Sequence, residues 1–428
     1  IPEEVPVSAT GSVSVLAVHT AAVTGGTGAV PRRPIVPAPS GGPIVGVDLG
    51  TTYTSVAAVI DHRVRILFGP NGERSLPSVI AFPRKGEIVV GAEARARIAI
   101  DPAHTVVSPK RLLGRHYEDR EVQTMVGRAP YRTFAGPDET TVIEIWGEQY
   151  AVPQLFAHLF TEVKRWAELQ LGTKVSRVVC TVPISFEDAR VEAVRRAARF
   201  AQLEVVSVID EPSAAALANR FDKHFGGTVG VYDFGGGTFD FSIVDVSGGD
   251  FHVVATAGDT WLGGDDFDQV LAEAAANQFW RQHKVDLRTQ AVEWQRLLFA
   301  CEQAKRELSG AETATILVPE VLRTASGMVD LKLGIDRDIL SRAASAIIDR
   351  SLDTCRQALD VAGMKPSDLS CVYLSGGTTN VIAVREALDR YFQVPVRTGV
   401  PAEHAVCLGA AIHAAQLQMR GSVTLPQR

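Results

Sequence analysis

The sequence predicts an α/β protein of two lobes with a cleft between them. Two observations carry this. Strand-like apolar runs alternate with amphipathic helical stretches from residue 44 onward. In addition, one short device occurs twice. It reads Ile44-Val-Gly-Val-Asp48-Leu-Gly-Thr51-Thr52-Tyr53-Thr-Ser-Val-Ala in the first copy. It reads Val229-Gly-Val-Tyr-Asp233-Phe-Gly235-Gly236-Gly237-Thr238-Phe-Asp240-Phe-Ser-Ile in the second. Each copy is a buried strand, an aspartate, a tight turn and a returning strand. Glycines let backbone N–H groups crowd around an anion, and they tolerate positive φ. An aspartate at each strand end would repel a bare phosphate. The pattern is consistent if a divalent cation sits between carboxylate and phosphate. One Gly-rich hairpin alone is more often an ordinary turn. Two copies with aligned aspartates imply two lobes that grip one polyphosphate.

The elements follow in order. Residues 1–43 are rich in Pro, Gly, Ala, Val, Ser and Thr, and Val30-Pro-Arg-Arg-Pro-Ile-Val-Pro-Ala-Pro39 should be extended. The segment reads as linker or tail, with one strand-like run at 12–18 that has no evident partner. Further strand-like runs lie at 44–48, 56–60, 177–182, 205–210, 228–233, 242–246 and 372–374. Helical periodicity marks 153–172, 187–201, the Ala-rich 214–219, the charged 292–310 and a final helix at 405–419. Residues 420–428 read as a frayed tail.

Composition narrows the function classes. At 428 residues the chain is long enough for two sizeable cores. A net charge of −6 gives no electrostatic case for nucleic acid or an anionic membrane. Five cysteines stand without a C-x-x-C pair, which argues against a disulfide framework or zinc site. A reducing compartment, and so a cytoplasmic location, is the expectation. No apolar run has the length of a membrane span. The first residue is Ile rather than Met, so a processed product or a piece of something longer is expected.

Several nucleotide motifs are absent. No Gly-Lys pair occurs, which removes the Walker A loop, and no G-x-G-x-x-G follows a strand. No H-E-x-x-H is present. Asp233 and Asp240 sit on a strand pair that is otherwise apolar, a costly placement unless they bind something. Glu302, Lys305, Arg306 and Ser309 are spaced i, i+3, i+4, i+7 on one helical face. Such spacing by itself usually marks a solvated, ion-paired surface.

From Ile44 to about Met419 the chain resembles the ATPase domain of the DnaK-type heat-shock chaperones, the seventy-kilodalton class, within the actin/hexokinase-like superfamily. The resemblance rests on the two Asp-Gly loops, Ser108-Pro-Lys110-Arg-Leu-Leu-Gly114-Arg, Thr181-Val-Pro183 and Ile209-Asp-Glu211-Pro-Ser-Ala-Ala-Ala216. It continues through Ala257-Gly-Asp-Thr-Trp-Leu-Gly-Gly-Asp-Asp-Phe-Asp268, Cys301-Glu-Gln-Ala-Lys305-Arg306-Glu-Leu-Ser309 and Ser375-Gly376-Gly377-Thr378. It implies a two-lobed actin-like ATPase fold, with lobe I at 44–226 plus a final helix at 399–419, and lobe II at 227–398.

The resemblance also implies roles. Thr51, Thr52 and Tyr53 from one lobe, and Gly235, Gly236, Gly237 and Thr238 from the other, should bind the β- and γ-phosphates. Asp48 and Asp233 should hold Mg²⁺, mainly through its waters. Lys110 takes the place of a catalytic lysine, and Glu211 and Asp240 are candidates to orient the attacking water. Glu302 and Lys305 resemble ribose partners, and Arg306 and Ser309 would lie against adenine. Gly376 and Gly377 should form a turn that admits the adenosine. The implied ligands are ATP and ADP with Mg²⁺, and K⁺ is a further candidate ion. Implied partners are co-chaperones or nucleotide-exchange factors; separately, the Pro-rich N-terminal tail suggests a domain fused upstream through an extended spacer.

The chain departs from the family at three places. Asn380 stands where an arginine usually stacks on adenine, so the base should lose one cation–π contact. Ala402-Glu403-His404-Ala405-Val406 replaces the usual Pro-Asp-Glu-Ala-Val. Nothing after Met419 resembles the acidic-hydrophobic linker or the β-rich peptide-binding domain. The leading expectation is therefore slow ATP hydrolysis used as a conformational switch, unresponsive to unfolded peptide. A nucleotide-gated interaction module is the alternative, ahead of a small-molecule kinase or a filament-forming ATPase.

Overall fold

The computed structural model describes residues 13–17, 42–127, 129–219, 226–247, 250–325 and 327–422. Most of 1–43, and all of 423–428, lie outside these residues, so the expected extended spacer does too. Two sheets with the same connectivity form the two lobes. In lobe I the strands run Glu204–Asp210, Arg177–Val182, Ile44–Leu49, Tyr53–Ile60 and Arg63–Leu67 from edge to edge. In lobe II they run Val396–Arg397, Cys371–Ser375, Gly227–Phe234, Phe239–Ser247 and Asp250–Asp259. Each sheet has an antiparallel meander of three strands. A later strand then joins parallel to the first, Val179 opposite Gly46 in one lobe and Ser375 opposite Asp233 in the other. The sequence repeat is thus a repeat of topology.

The central strands are buried on both faces. Val45, Val47, Val178 and Val179 are nearly inaccessible in lobe I, as are Val229 and Val231 in lobe II. Long helices cover them. Val152–Leu171 turns Leu155, Phe156, Leu159, Phe160 and Val163 into the lobe I core. Gly264–His283 and Arg337–Ala362 close the lobe II core around Tyr232, Phe234, Phe239, Phe241 and Phe267. All five cysteines are buried and free. Among the described residues no helix is long and apolar enough to cross a membrane.

Several elements extend the sequence reading. The run near residue 12 is a strand, Val13–Ala17, and its partner is Asp250–Asp259, with Val13 opposite Asp259 and Ala17 opposite Ala255. It adds a sixth strand to the lobe II sheet. The final helix runs Ala405–Ser422, so residues 420–422 are helical rather than frayed. A long hairpin, Thr313–Thr324 with Gly327–Asp336, also stands in lobe II.

Two helices join the lobes. Glu211–Asn219 buries Ala214, Ala215 and Ala216 against Val229, Val231 and Val244 of lobe II. Ala405–Ser422 lies on the lobe I sheet, where a Cβ on Gly46 would collide with the backbone of Ala411. The two helices touch each other through Gly409, whose missing Cβ leaves room for the carbonyl of Ala214. Gly409→Val should therefore force the helices apart. The expected loss is about 1–3 kcal/mol or more, the usual cost of overpacking a filled interior. Chemical denaturation measures it, and an unchanged midpoint would mean that the crossing is loose.

Candidate functional site

Both Gly-rich turns open into one cavity of about 620 Å³ between the lobes. The first turn is narrow because a side chain on Gly50 would strike the carbonyl of Tyr53. Ser78 braces it: its amide donates to the Thr52 carbonyl (2.8 Å) and its hydroxyl to the Gly50 carbonyl (2.9 Å). The second turn is braced by the start of helix Gly264–His283. The amide of Gly264 donates to Gly235 (3.0 Å) and that of Asp265 to Gly236 (2.7 Å). The Thr378 hydroxyl also donates to the Gly235 carbonyl (2.8 Å). Phe234 and Phe239 flank the turn with their rings 5.1 Å apart, which anchors it in the lobe II core. The turns meet, since a Cβ on Gly236 would lie 2.7 Å from the Thr52 hydroxyl.

Four carboxylates, Asp48, Glu211, Asp233 and Asp240, line the cavity beside the turns. Asp48 ends one strand and accepts from the Thr181 hydroxyl (2.9 Å). Asp233 and Asp240 face each other across the second hairpin. Glu211 begins the helix that Asp210 caps by accepting from the Ser213 amide (2.8 Å). Lys110 projects from the short turn Pro109–Arg111, is almost fully buried, and donates to Glu211 at 2.6 Å. Burial raises the carboxyl pKa values of Asp48, Asp233 and Asp240, and the charge of Glu211 raises them further; Asp240 is pushed up to about 7. Like charges held this close call for a cation. Among the described residues no three acidic, histidine or cysteine side chains converge to hold an ion directly. Asp48 and Asp233 both line the cavity beside the turns.

The other wall carries the charged face of helix Ala291–Glu307. Glu302, Lys305, Arg306 and Ser309 all line the cavity. Ser309 lies in the turn after the helix rather than on it. Lys305 is buried and donates to the Gly264 carbonyl (2.6 Å) and to Asp268 (2.9 Å). The ammonium also lies 2.8 Å from the second Asp268 oxygen, so both carboxylate oxygens face it. Arg306 is exposed and lies 5.6 Å from the Tyr53 ring centre. Gly376 has φ of +82° and no room for a Cβ against the carbonyl of Phe234, so only glycine fits this turn. Gly377 and Asn380 also line the cavity. Gly237 is not among its lining residues; its carbonyl accepts from Arg111 at 2.8 Å.

Four residues here had no role in the sequence reading. Arg95 of lobe I pairs with Glu302 of lobe II and donates to the Tyr53 hydroxyl (2.9 Å). Arg111 of lobe I bonds the carbonyls of Thr260 and Gly237 in lobe II and lies 4.5 Å from the Trp261 ring centre. Asp268 holds Lys305. Arg385 donates to the Asn380 side chain (2.8 Å), which in turn donates to Glu403 (3.2 Å). Arg111 and Asp268 stand inside the quoted motifs. Arg95 and Arg385 carry no local signal.

Twin sheets with paired acidic turns over one cleft form the two-lobed fold of the actin-like ATPases. The family model described as Hsp70 protein matches residues 44–424, and the chain belongs to the Hsp70 family. The matched region is the family's nucleotide-binding ATPase domain.

Arg95 and Glu302 bridge the lobes across the mouth of the cleft. Their side chains are 28% and 17% exposed, so the pair is partly shielded from solvent. Arg95→Ala should speed release of a bound nucleotide on the order of ten-fold, equivalent to about 1.4 kcal/mol. Displacement of a fluorescent ADP analogue reads the rate. An unaltered off-rate would show that this bridge does not hold the lobes.

Proposed function

We propose that the cleft binds Mg-ATP and hydrolyses it slowly, and that the lobes respond as a conformational switch. The observation that carries this is the meeting of the two turns at Thr52 and Gly236, beside Lys110 and four carboxylates. Thr51, Thr52, Tyr53, Gly235, Gly236 and Thr238 hold the β- and γ-phosphates, and Gly237 supports them through Arg111. Glu302 and Lys305 take the ribose hydroxyls. Arg306 and Ser309 border the base, and Gly376 and Gly377 let the adenosine lie close to the backbone.

The chemistry is attack of water on the γ-phosphorus, which yields ADP and inorganic phosphate. Glu211 and Asp240 orient the water by accepting its hydrogens. Lys110 stabilises charge on the transferring oxygens, and its bond to Glu211 fixes both groups beforehand. Mg²⁺, when bound through its waters to Asp48 and Asp233, neutralises phosphate charge.

A second reading, a nucleotide-gated interaction module, draws on one observation. The strand Val13–Ala17 is paired to the lobe II sheet, so movement of that lobe would be felt by the chain N-terminal to the cleft.

Calorimetry should show one saturable site for Mg-ATP and for Mg-ADP; folded protein that gives no heat with either would end the proposal. Lys110→Ala and Asp233→Asn should each slow single-turnover hydrolysis by about 10²-fold or more while leaving the fold intact. Equal rates in both variants and the parent would remove these residues from the chemistry.

Asn380 tests the base wall. Asn380→Arg alone would set a second guanidinium against Arg385. Combined with Arg385→Gln, it should tighten ATP by about 0.5–2 kcal/mol through a cation over the base. A competition titration measures this. Weaker binding in the double variant would place the base elsewhere.

A further inference from the structure

The cavity is longer than the grip described above. The same space that is walled by Ser309 and Asn380 is also walled by Arg115, Glu121, Phe186 and Arg190. Of these four, Phe186 lies 5.8 Å from the Lys110 ammonium and Arg190 touches the lysine turn. Arg190 donates to the Lys110 carbonyl (3.2 Å) and to the Leu113 carbonyl (3.1 Å), so its guanidinium sits against the back of the lysine turn.

We propose that this far end is a release chamber for inorganic phosphate, which leaves lobe I between Arg115 and Glu121. The proposal rests on the ATPase reading above, because hydrolysis supplies the phosphate.

Charge separates the two parts of the cavity. The reaction end holds Asp48, Glu211, Asp233 and Asp240, which repel a newly formed phosphate dianion once it is no longer bonded to ADP. The far end is rich in guanidinium groups. Arg190 is only 9% exposed; two of its five N–H donors go to backbone carbonyls and its charge lies 3.7 Å from the Phe186 ring centre. Burial and the neighbouring charge of Arg115 push its pKa down to about 9. A tetrahedral oxyanion between the two arginines would offset both costs, and guanidinium is well shaped to receive it.

The exit has a built-in competitor. Arg115 pairs with Glu121 at 2.5 Å, and both side chains are partly exposed, 24% and 33%. Glu121 neutralises Arg115 when no phosphate is there. An arriving dianion must displace the carboxylate, and departure of the phosphate lets the pair form again. The site therefore binds phosphate weakly enough to let it go.

The two halves of this pair should respond with opposite signs. The probe is inorganic phosphate, titrated into the full chain saturated with Mg-ADP and followed by equilibrium dialysis. Arg115→Gln should weaken phosphate binding about ten-fold or more. Glu121→Gln should tighten it by about three-fold or more, because Arg115 is freed. Calorimetry should give the same ADP affinity in all three proteins. In a single turnover, Arg115→Gln should change the phosphate-release step, read with a phosphate-sensing probe, and leave acid-quenched cleavage unaltered. Phosphate binding that is absent, or equal in the parent and both variants, overturns the chamber while nucleotide binding stands. A parent that binds no ADP overturns the ATPase reading and the chamber with it.

Discussion

A single helix crossing sets the relation between the lobes. Helix Glu211–Asn219 belongs by packing to lobe II, and helix Ala405–Ser422 lies on the lobe I sheet. They meet where Gly409 leaves room for the Ala214 carbonyl. Everything in the cleft is placed by that contact. Glu211 begins the first of these helices, and Glu403 lies just before the second. A wider crossing would move Glu211 away from Lys110 and part Gly236 from Thr52. Small residues are required because backbone, not side chain, is the contacting surface.

The cleft stores unfavourable electrostatics that a ligand can relieve. Three aspartates are pushed upward in pKa by burial and by the charge of Glu211, and the buried Lys110 opposes this at Asp48 and Asp240. An all-apolar wall would stabilise the fold better. The acids persist against that cost near the ends of strands that are otherwise mostly buried and apolar. This is the pattern of a fold that trades stability for a site.

The parts of this fold that were legible in the sequence are those with local causes. Paired Asp-Gly turns, buried valine strands and amphipathic helices each need only neighbours in the chain, and all are present near the expected positions. The hairpin Thr313–Asp336 went unread because Pro319 and Glu320 break its alternation; the register shifts between Val318 and Leu322. The strand Val13–Ala17 was legible as a strand, but its partner lies far along the chain. The same reason hides Arg95 and Arg111. Their partners are 207 and 126 residues away, and no local pattern announces those pairings. Lys305 shows the reverse case. Its spacing placed it on the correct face, but only the structure shows Asp268 holding it.

The contacts across the cleft differ in kind from those at its hinge. At the hinge the lobes share buried alanine, valine and glycine in close packing, which resists any separation. Across the mouth they share Arg95 with Glu302, and Arg111 with two carbonyls and the Trp261 ring. Polar contacts of this sort exchange readily for water, whereas parting a packed Gly–Ala crossing leaves voids. Opening is therefore cheapest as rotation about the two crossed helices, with the mouth moving most. Such a rotation would part Tyr53 from Glu302 while Glu211, at the hinge, moves least. In the proposed function nucleotide grip and lobe angle are one variable, because Tyr53 and Glu302, proposed to hold the ligand, are also joined across the lobes by Arg95.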